Sequence, residues 1–187
     1  QPCNDALLTP CPTVDAPGRT LLGSAQRDWL KRSVAGSDAT WKLWGGALMM
    51  MSLDLPPGQH VNVDSWDGYG AERREILEYF RDKKVKNLAV VSGDVHALFA
   101  GYASPTGNDT SAPFAPEFNP GAVTSEGLSE KTGIPSETVL ELMPEYDPHI
   151  KWANFDRKGY GILTCRQNEL ICTMKSPYTV TTHGASV

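Results

Sequence analysis

The spacing of apolar residues predicts two amphipathic helices in the first half of the chain. One spans residues 24–36 and the other spans residues 70–83. Their core-facing positions are Trp29, Leu30 and Val34 in the first helix and Ile76, Leu77 and Phe80 in the second. A short third helix is predicted after Pro135, with Ser136 as its cap and Leu140 inside.

Short apolar runs between these helices predict strands. Thr40–Trp44 is one such run, and Leu88–Val91 is typical of a strand that is buried on both faces of a sheet. Residues 159–176 predict a β-hairpin near the end of the chain. The order of helix, strand and loop favours an α/β protein.

The remaining segments have the composition of loops. Residues 1–19 are predicted to be an irregular lead-in, Pro56-Pro57-Gly58 a turn, and residues 181–187 a polar tail. Residues 103–120 contain four prolines and are predicted to form a long loop or lid. Residues 20–180 are left as the folded domain.

Composition narrows the classes of function. The chain has 187 residues, of which 40% are hydrophobic, and a formal net charge of -5. This acidic balance argues against a generic nucleic-acid-binding protein, which needs a basic face. No apolar run reaches the roughly 20 residues that cross a bilayer. No basic-then-apolar leader is visible, so we expect that any export leader has been removed.

Four cysteines form two local pairs, Cys3 with Cys11 and Cys165 with Cys172. If the hairpin reverses at Asn168-Glu169, Cys165 lies opposite Cys172, close enough for a disulfide. Cys3 and Cys11 can close a small loop. Disulfides indicate a secreted, extracellular or periplasmic protein, whereas reduced thiols in a cytosolic protein are the alternative. A zinc site is disfavoured because neither pair has the usual close spacing.

The motif Ser92-Gly93-Asp94-Val95-His96 directly follows the predicted strand at residues 88–91. Open α/β sheets bind their ligands at the carboxyl ends of strands. In extended backbone, residues two apart point to the same side, so Asp94 and His96 are expected to converge. A carboxylate and an imidazole suit a metal ion. The alternative is that Asp94 caps a turn and His96 bonds nearby backbone.

Other polar residues have a structural interpretation beside a functional one. Asp64 and Asp67 are candidates for general acids, but capping of the following helix is favoured. Ser125 lacks the Gly-x-Ser-x-Gly elbow and is disfavoured as a nucleophile. The remaining histidines, for which no neighbour indicates catalysis, are His60, His149 and His183.

Six segments between residues 20 and 180 form an ordered pattern. They are Leu22-Gly23-Ser24-Ala25-Gln26 with Trp29-Leu30, Trp41-Lys42-Leu43, Asp64-Ser65-Trp66-Asp67-Gly68-Tyr69 with Glu72-Arg73, Ser92-Gly93-Asp94-Val95-His96, Thr124-Ser125, and Pro148-His149-Ile150-Lys151 with Gly159-Tyr160-Gly161. Together they resemble the PhoD-type alkaline phosphatase and phosphodiesterase family, part of the metallophosphoesterase group.

The resemblance implies a four-layer α/β/β/α sandwich, with two mixed sheets face to face, helices outside and a β-hairpin at the end. It also implies metal-dependent hydrolysis of phosphate esters, with Fe3+ and Ca2+ as cofactors and Asp94 and His96 as metal ligands. The metals would activate a water and stabilise charge on phosphoryl oxygens. Phosphomonoesters and phosphodiesters, including phospholipids in a phospholipase D-like activity, are the expected substrates.

The chain departs from the family pattern in two ways. The amino-terminal half, which supplies most metal ligands, is absent, and two residues cannot complete a site for Ca2+, which takes about 6–8 oxygens. Residues 20–180 are therefore expected to be the carboxyl-terminal half of one catalytic domain, active with a separate amino-terminal fragment of the same precursor. Second, Gly46 stands where relatives often have asparagine.

A different function class also stays open, namely a secreted, non-catalytic binding module derived from such an enzyme. Gly46 favours this alternative, whereas the retained Asp94 and His96 count against it. Metal content separates the two classes, because only the enzyme requires bound iron and calcium.

Overall fold

The computed structural model describes residues 12–55, 59–107, 109–111 and 113–177. The helices are α1 (Ser24–Ala35), α2 (Gly70–Asp82), α3 (Leu128–Thr132) and α4 (Ser136–Tyr146), and a 3₁₀ helix spans Trp66–Tyr69. The strands are β1 (Lys42–Gly45), β2 (Asp54–Leu55), β3 (Gln59–His60), β4 (Leu88–Val91), β5 (Leu98–Ala103), β6 (Ala115–Pro120), β7 (Ile150–Asn154), β8 (Tyr160–Cys165) and β9 (Leu170–Lys175).

The central sheet has five strands in the order β1-β4-β6-β5-β7. Strands β1, β4 and β6 run parallel, whereas β5 is antiparallel to both β6 and β7. The helix α2 lies in the crossover from β1 to β4, as a parallel connection requires. Two further pairs, β2–β3 and β8–β9, are antiparallel. The predicted mixed α/β class with a mixed sheet and a β-hairpin near its end is confirmed.

One face of the sheet is covered by α2 and forms the main core. Ile76, Leu77 and Phe80 of α2 are fully buried, as the spacing of apolar residues predicted. The ring of Phe80 lies 6.4 Å from the ring of Trp44 on β1, in an edge-to-face arrangement. Trp66 of the 3₁₀ helix approaches the same Trp44 ring at 5.7 Å. Aromatic burial of this kind fixes α2 against the sheet.

The opposite face of the sheet is only partly covered. The β8–β9 hairpin packs against β6 on this side. The large apolar side chains that stay exposed here are Leu43 (48% exposed), Tyr102 (38%) and Trp152 (47%). Among the described residues, no helix has the length and apolar character needed to cross a membrane.

The predicted loop at residues 103–120 is wrong in its second half, because β6 lies there between β4 and β5. Its prolines, Pro116 and Pro120, flank the two residues that pair with β4, namely Glu117 and Phe118. The missing N–H groups of the prolines therefore fall outside that short ladder. The pattern of apolar residues also did not predict the strands β5 and β7 or the helix α3.

Three side chains in the helices differ from their predicted places. Trp29 in α1 is 58% exposed, and Leu140 in α4 is 41% exposed. The core side of α4 instead carries Val139 and Met143, four residues apart. Ser136 is the first residue of α4 rather than its cap, and its hydroxyl bonds Asp156.

Cys165 and Cys172 do not lie opposite each other, so the predicted disulfide is wrong. Both are free thiols, because Cys165 pairs with Leu170 and Cys172 pairs with Leu163. The Arg166 N–H donates to the Glu169 carbonyl at 2.8 Å. The chain therefore reverses one residue earlier than predicted, and the strand that follows is shifted by two residues against Cys165. The cysteines are then diagonal neighbours at about 7–8 Å, beyond the usual span of a disulfide.

Several predictions concern residues outside the described part of the chain. These residues are Cys3, Cys11, Pro56-Pro57-Gly58, His183 and the tail at 181–187. The division into lead-in, domain and tail likewise stays a prediction.

A glycine in β5 allows the close approach of two neighbouring segments. A Cβ at residue 101 would lie 2.6 Å from the His149 carbonyl oxygen and 2.7 Å from Met51 Sδ. We therefore expect Gly101→Ala to lower the free energy of unfolding by about 1–3 kcal/mol, measured by urea denaturation. The matched control is Gly45→Ala in β1, where no heavy atom lies within 4 Å. Equal stability of the two variants would contradict the close approach.

Candidate functional site

A fully buried carboxylate organises the carboxyl end of the central strands. Glu117 on β6 accepts hydrogen bonds from the backbone N–H groups of Met50 (2.7 Å) and Met51 (2.6 Å). It also accepts one from Ser92 Oγ at 2.5 Å. Burial raises the pKa of Glu117, although these three donors oppose the shift. Glu117 thus ties an irregular segment, residues 49–53, to the start of the Ser92–His96 motif.

The motif after β4 is not extended, so the reason given for the convergence of its side chains is wrong. Asp94 has φ 74 and His96 has φ 61, both in the left-handed region that non-glycine residues rarely adopt. The two side chains nevertheless border the same small cavity, of about 40 Å³. Asn119, fully buried on β6, donates from Nδ2 to the Gly93 carbonyl at 3.0 Å and supports this turn.

His96 is held by the loop that precedes α3. Its Nδ1 lies 2.8 Å from the Glu126 carbonyl oxygen, which only accepts, so Nδ1 carries the proton. The lone pair is therefore on Nε2. The Leu128 N–H donates to the His96 carbonyl at 3.3 Å. A histidine that donates one ring N–H to a backbone carbonyl has the arrangement usual for metal-ligating histidines.

The Asp94 and His96 cavity has donors for part of a metal site. One carboxylate and one imidazole suit a hard or borderline cation. They are fewer ligands than the four of a zinc site or the larger number around Ca2+. Lys131 of α3 borders the same cavity and adds a positive charge to its rim. These residues can therefore hold a metal ion only together with other ligands.

A second cluster of possible metal ligands joins the β2–β3 pair, through Asp54 and His60, to Asp67 of the 3₁₀ helix. His60 Nδ1 is 2.5 Å from Asp54 Oδ1 and 4.0 Å from Asp67 Oδ1. The hydrogen bond to Asp54 raises the pKa of His60 above its usual value. Within the described residues this is the one group of three such side chains whose ligand atoms all lie within 4.8 Å of one another.

Asp67 does not cap α2, contrary to the prediction. Its carboxylate accepts hydrogen bonds from Ser52 Oγ (2.6 Å), the Leu53 N–H (3.0 Å) and Arg73 Nη1 (2.8 Å). The residue is 2% exposed. Tyr69 is the N-cap of α2, without a side-chain cap bond. Asp67 therefore supports the irregular segment at residues 49–53.

The prediction for Asp64 also differs from the structure. The 3₁₀ helix that follows it is capped by Ser65, whose Oγ accepts from the Asp67 N–H. The Asp64 N–H donates to Asn62 Oδ1 at 2.9 Å in a local turn.

Two buried titratable residues complete the surroundings of this cluster. Asp147 is 1% exposed, and both of its carboxylate oxygens accept from the Asp54 N–H, at 3.1 and 3.2 Å. Burial, followed by the charge of Asp54, raises the pKa of Asp147 to about 8. His149 is also 1% exposed, and its Nε2 donates to the Ser52 carbonyl at 2.9 Å. Burial lowers the pKa of His149.

The sequence did not indicate His60 as a functional candidate. Asp54 and His60 are directly opposite in the β2–β3 pair. The signal that could have found them is the sequence Pro56-Pro57-Gly58 between them, because a turn predicted there would place the flanking carboxylate and imidazole face to face in a hairpin. Ser125 is exposed in the loop before α3, and no hydrogen bond joins it to a histidine in the described part of the chain.

Comparisons with known proteins give three consistent findings. A family model described as PhoD-like phosphatase matches residues 2–174. The chain is similar to alkaline phosphatase D of Bacillus subtilis (strain 168), with 28% identity in an alignment of 187 positions that covers 98% of this chain and 31% of that protein. It is also similar to a solved structure of PhoD, with a TM-score of 0.84 and 27% identity over 98% of this chain and 35% of that one. The chain thus spans about a third of the length of these relatives.

The raised pKa of Asp147 predicts a specific pH dependence of stability. Native Asp147 keeps its proton up to about pH 8, whereas in the unfolded state the same carboxyl has its ordinary pKa of 3.8. The unfolded state therefore binds fewer protons in this window, and stability falls as pH rises from about 4 to 8. Relative to Asp147→Asn, we expect the wild-type chain to lose on the order of a few kcal/mol across it.

Urea denaturation of both proteins at several pH values, in chelator-treated buffer, measures this difference. The comparison cancels the titration of His60 and His149, which both proteins retain. Parallel stability curves for wild type and variant would contradict the shifted pKa.

Proposed function

Because the chain belongs to the PhoD-like phosphatase family, we propose that it supplies Asp94 and His96 to the metal site of a phosphoesterase. The observation that carries this proposal is the cavity after β4, which both side chains border from left-handed backbone. Non-glycine residues hold such a conformation at a cost of about 1–3 kcal/mol each, typically at functional sites. Two of them in one short motif favour a function for the motif.

The metals proposed for this site are Fe3+ and Ca2+. When bound, they would supply Lewis acidity, which activates a water and offsets the charge of phosphoryl oxygens. The residues of this chain that would hold them are Asp94, through its carboxylate, and His96, through Nε2. The Glu126 carbonyl keeps the proton on Nδ1 of His96 and so leaves Nε2 free to bind.

A complete site requires ligands beyond this chain, and we propose that the amino-terminal part of the same precursor supplies them. The partly covered face of the central sheet supports this proposal, because Leu43, Tyr102 and Trp152 stay exposed there. Apolar side chains on one sheet face favour packing by a second sheet. The amino-terminal part would provide that sheet and so complete a four-layer sandwich.

The proposed substrates are phosphate monoesters and diesters, with a phospholipase D-like action on phospholipids as one form of the activity. A location outside the cytoplasm is part of the proposal and rests on the predicted disulfide between Cys3 and Cys11. The competing proposal is a non-catalytic binding module. Gly46 favours it, because a glycine cannot replace the asparagine side chain that the family resemblance implies at this position. Gly46 directly follows β1, and its N–H donates to the Val91 carbonyl at 2.9 Å.

Two variants test the role of the motif. They are purified together with the amino-terminal polypeptide where this remains bound to the chain. We expect His96→Ala and Asp94→Asn each to lose iron or calcium and to lower the hydrolysis of bis(p-nitrophenyl) phosphate and p-nitrophenyl phosphate. The loss should exceed about 100-fold, because even the partners of metal ligands cost about 10–100-fold. Elemental analysis and steady-state kinetics measure both effects.

Ser125→Ala is the matched control, since it changes an exposed residue of the adjoining loop. Its metal content and rates should equal those of the wild type. Normal turnover by His96→Ala would refute the assignment of His96. Neither metal nor activity in wild-type protein that retains its amino-terminal part would favour the binding module.

A further inference from the structure

We propose that Asp54, His60 and Asp67 form a second metal site, which takes a divalent transition metal of the zinc class. This site lies between the β2–β3 pair and the 3₁₀ helix, and it is separate from the one proposed at Asp94 and His96. Two carboxylates and one imidazole are a donor set that zinc accepts, with a fourth position open to water or another ligand. The proposal does not depend on phosphoesterase activity.

The distances suit an ion placed between the three side chains. Zinc binds nitrogen and oxygen at about 2.0–2.2 Å, so ligand atoms of a tetrahedral site are about 3.2–3.6 Å apart. His60 Nδ1 is 2.5 Å from Asp54 Oδ1 and 4.0 Å from Asp67 Oδ1. One distance is too short and the other too long. The proposal therefore includes a movement of the His60 ring away from Asp54 and toward Asp67 when the ion binds.

Two of the three ligands are already held in place. Asp67 is fixed by Ser52, Leu53 and Arg73. The backbone of Asp54 is fixed by Asp147. Ordered ligands lower the conformational entropy lost on binding, which is what a site with few ligands needs.

The surrounding charge also favours a cation. Asp54 and Asp67 bring two carboxylates beside His60, and the Arg73 guanidinium contacts that of Asp67. The nearby Arg74 is paired with Asp15 at 3.3 Å. A divalent ion would offset the charges of the two carboxylates, of which that of Asp67 is buried.

A polar cavity adjoins the cluster and gives room for the open coordination position. It has a volume of about 210 Å³ and is bordered by all three proposed ligands. Asp94 and His96 do not border it, although Asp67 also borders their cavity. Arg73, 5% exposed, lines the polar cavity, and its buried Nε has no hydrogen-bond partner in the described part of the chain. The cavity therefore fits a fourth ligand that is small and polar.

Zinc binding by the purified full chain tests the proposal. The protein is stripped with chelator and titrated with Zn2+ alone, by calorimetry and by equilibrium dialysis with elemental analysis. The variants are His60→Ala and Asp54→Asn, which keeps the backbone N–H that bonds Asp147. His96→Ala is the matched control, because it removes a histidine from the other cavity. Asp67 is left unchanged because it supports the fold.

We expect His60→Ala and Asp54→Asn each to bind one zinc equivalent fewer than the wild type, or to bind it at least 100-fold more weakly. His96→Ala should keep that zinc. Co2+ in place of zinc should give visible d–d absorption that disappears in His60→Ala. Thermal unfolding in chelator checks that the variants fold.

Equal zinc binding by His60→Ala and the wild type would overturn the site. So would a wild-type chain that binds no zinc, because His60 and Asp54 would then form an ion pair only. Loss of the same zinc in His96→Ala would assign it to the other cavity and overturn the proposal as well. Loss of phosphatase activity in His60→Ala is not part of the test.

Discussion

The Glu117 carboxylate is the interaction on which the rest of the structure depends. An irregular and buried segment, residues 49–53, crosses the core, and side chains accept hydrogen bonds from three of its backbone N–H groups. Buried N–H groups without partners cost about 1–3 kcal/mol each. Glu117 accepts from two of them and from Ser92 in addition. A single side chain in the centre of the sheet therefore holds both the segment before the hairpin and the strand end before the motif.

The same constraint continues along the chain and builds the second cluster. The Leu53 N–H is accepted by Asp67, the Asp54 N–H by Asp147, and the Ser52 carbonyl by His149. Each of these acidic side chains is held in place by the backbone N–H group that donates to it. The concentration of carboxylates around His60 thus follows from the fold, and an ion that binds there would stabilise an arrangement that the backbone already requires.

The sequence predicted what local patterns determine. The helix α2 and the strand β4 have one-sided or continuous apolar patterns, and both were found within a residue of their predicted ends. The strand β6 was not predicted, because its prolines and the polar residues Glu117 and Asn119 are typical of a loop. Those polar residues are buried only because distant segments need them as acceptors and donors. His60 was not predicted to be a site residue for a similar reason, because the folded structure brings Asp54 and Asp67 close to it.

The left-handed backbone at Asp94 and His96 is stabilised by contacts with other parts of the fold. An extended motif would need no support, whereas this one is held by Asn119 on one side and by the loop before α3 on the other. Strained residues persist only where their surroundings determine them fully. The support comes from elements far apart in sequence, so the strain marks a site that the whole fold maintains. A turn kept only to end a strand would relax at less cost with glycine, as at Gly121 in the same sheet edge (φ 82). The residue types at Asp94 and His96 therefore support the proposed role of their side chains, because the turn itself does not require them.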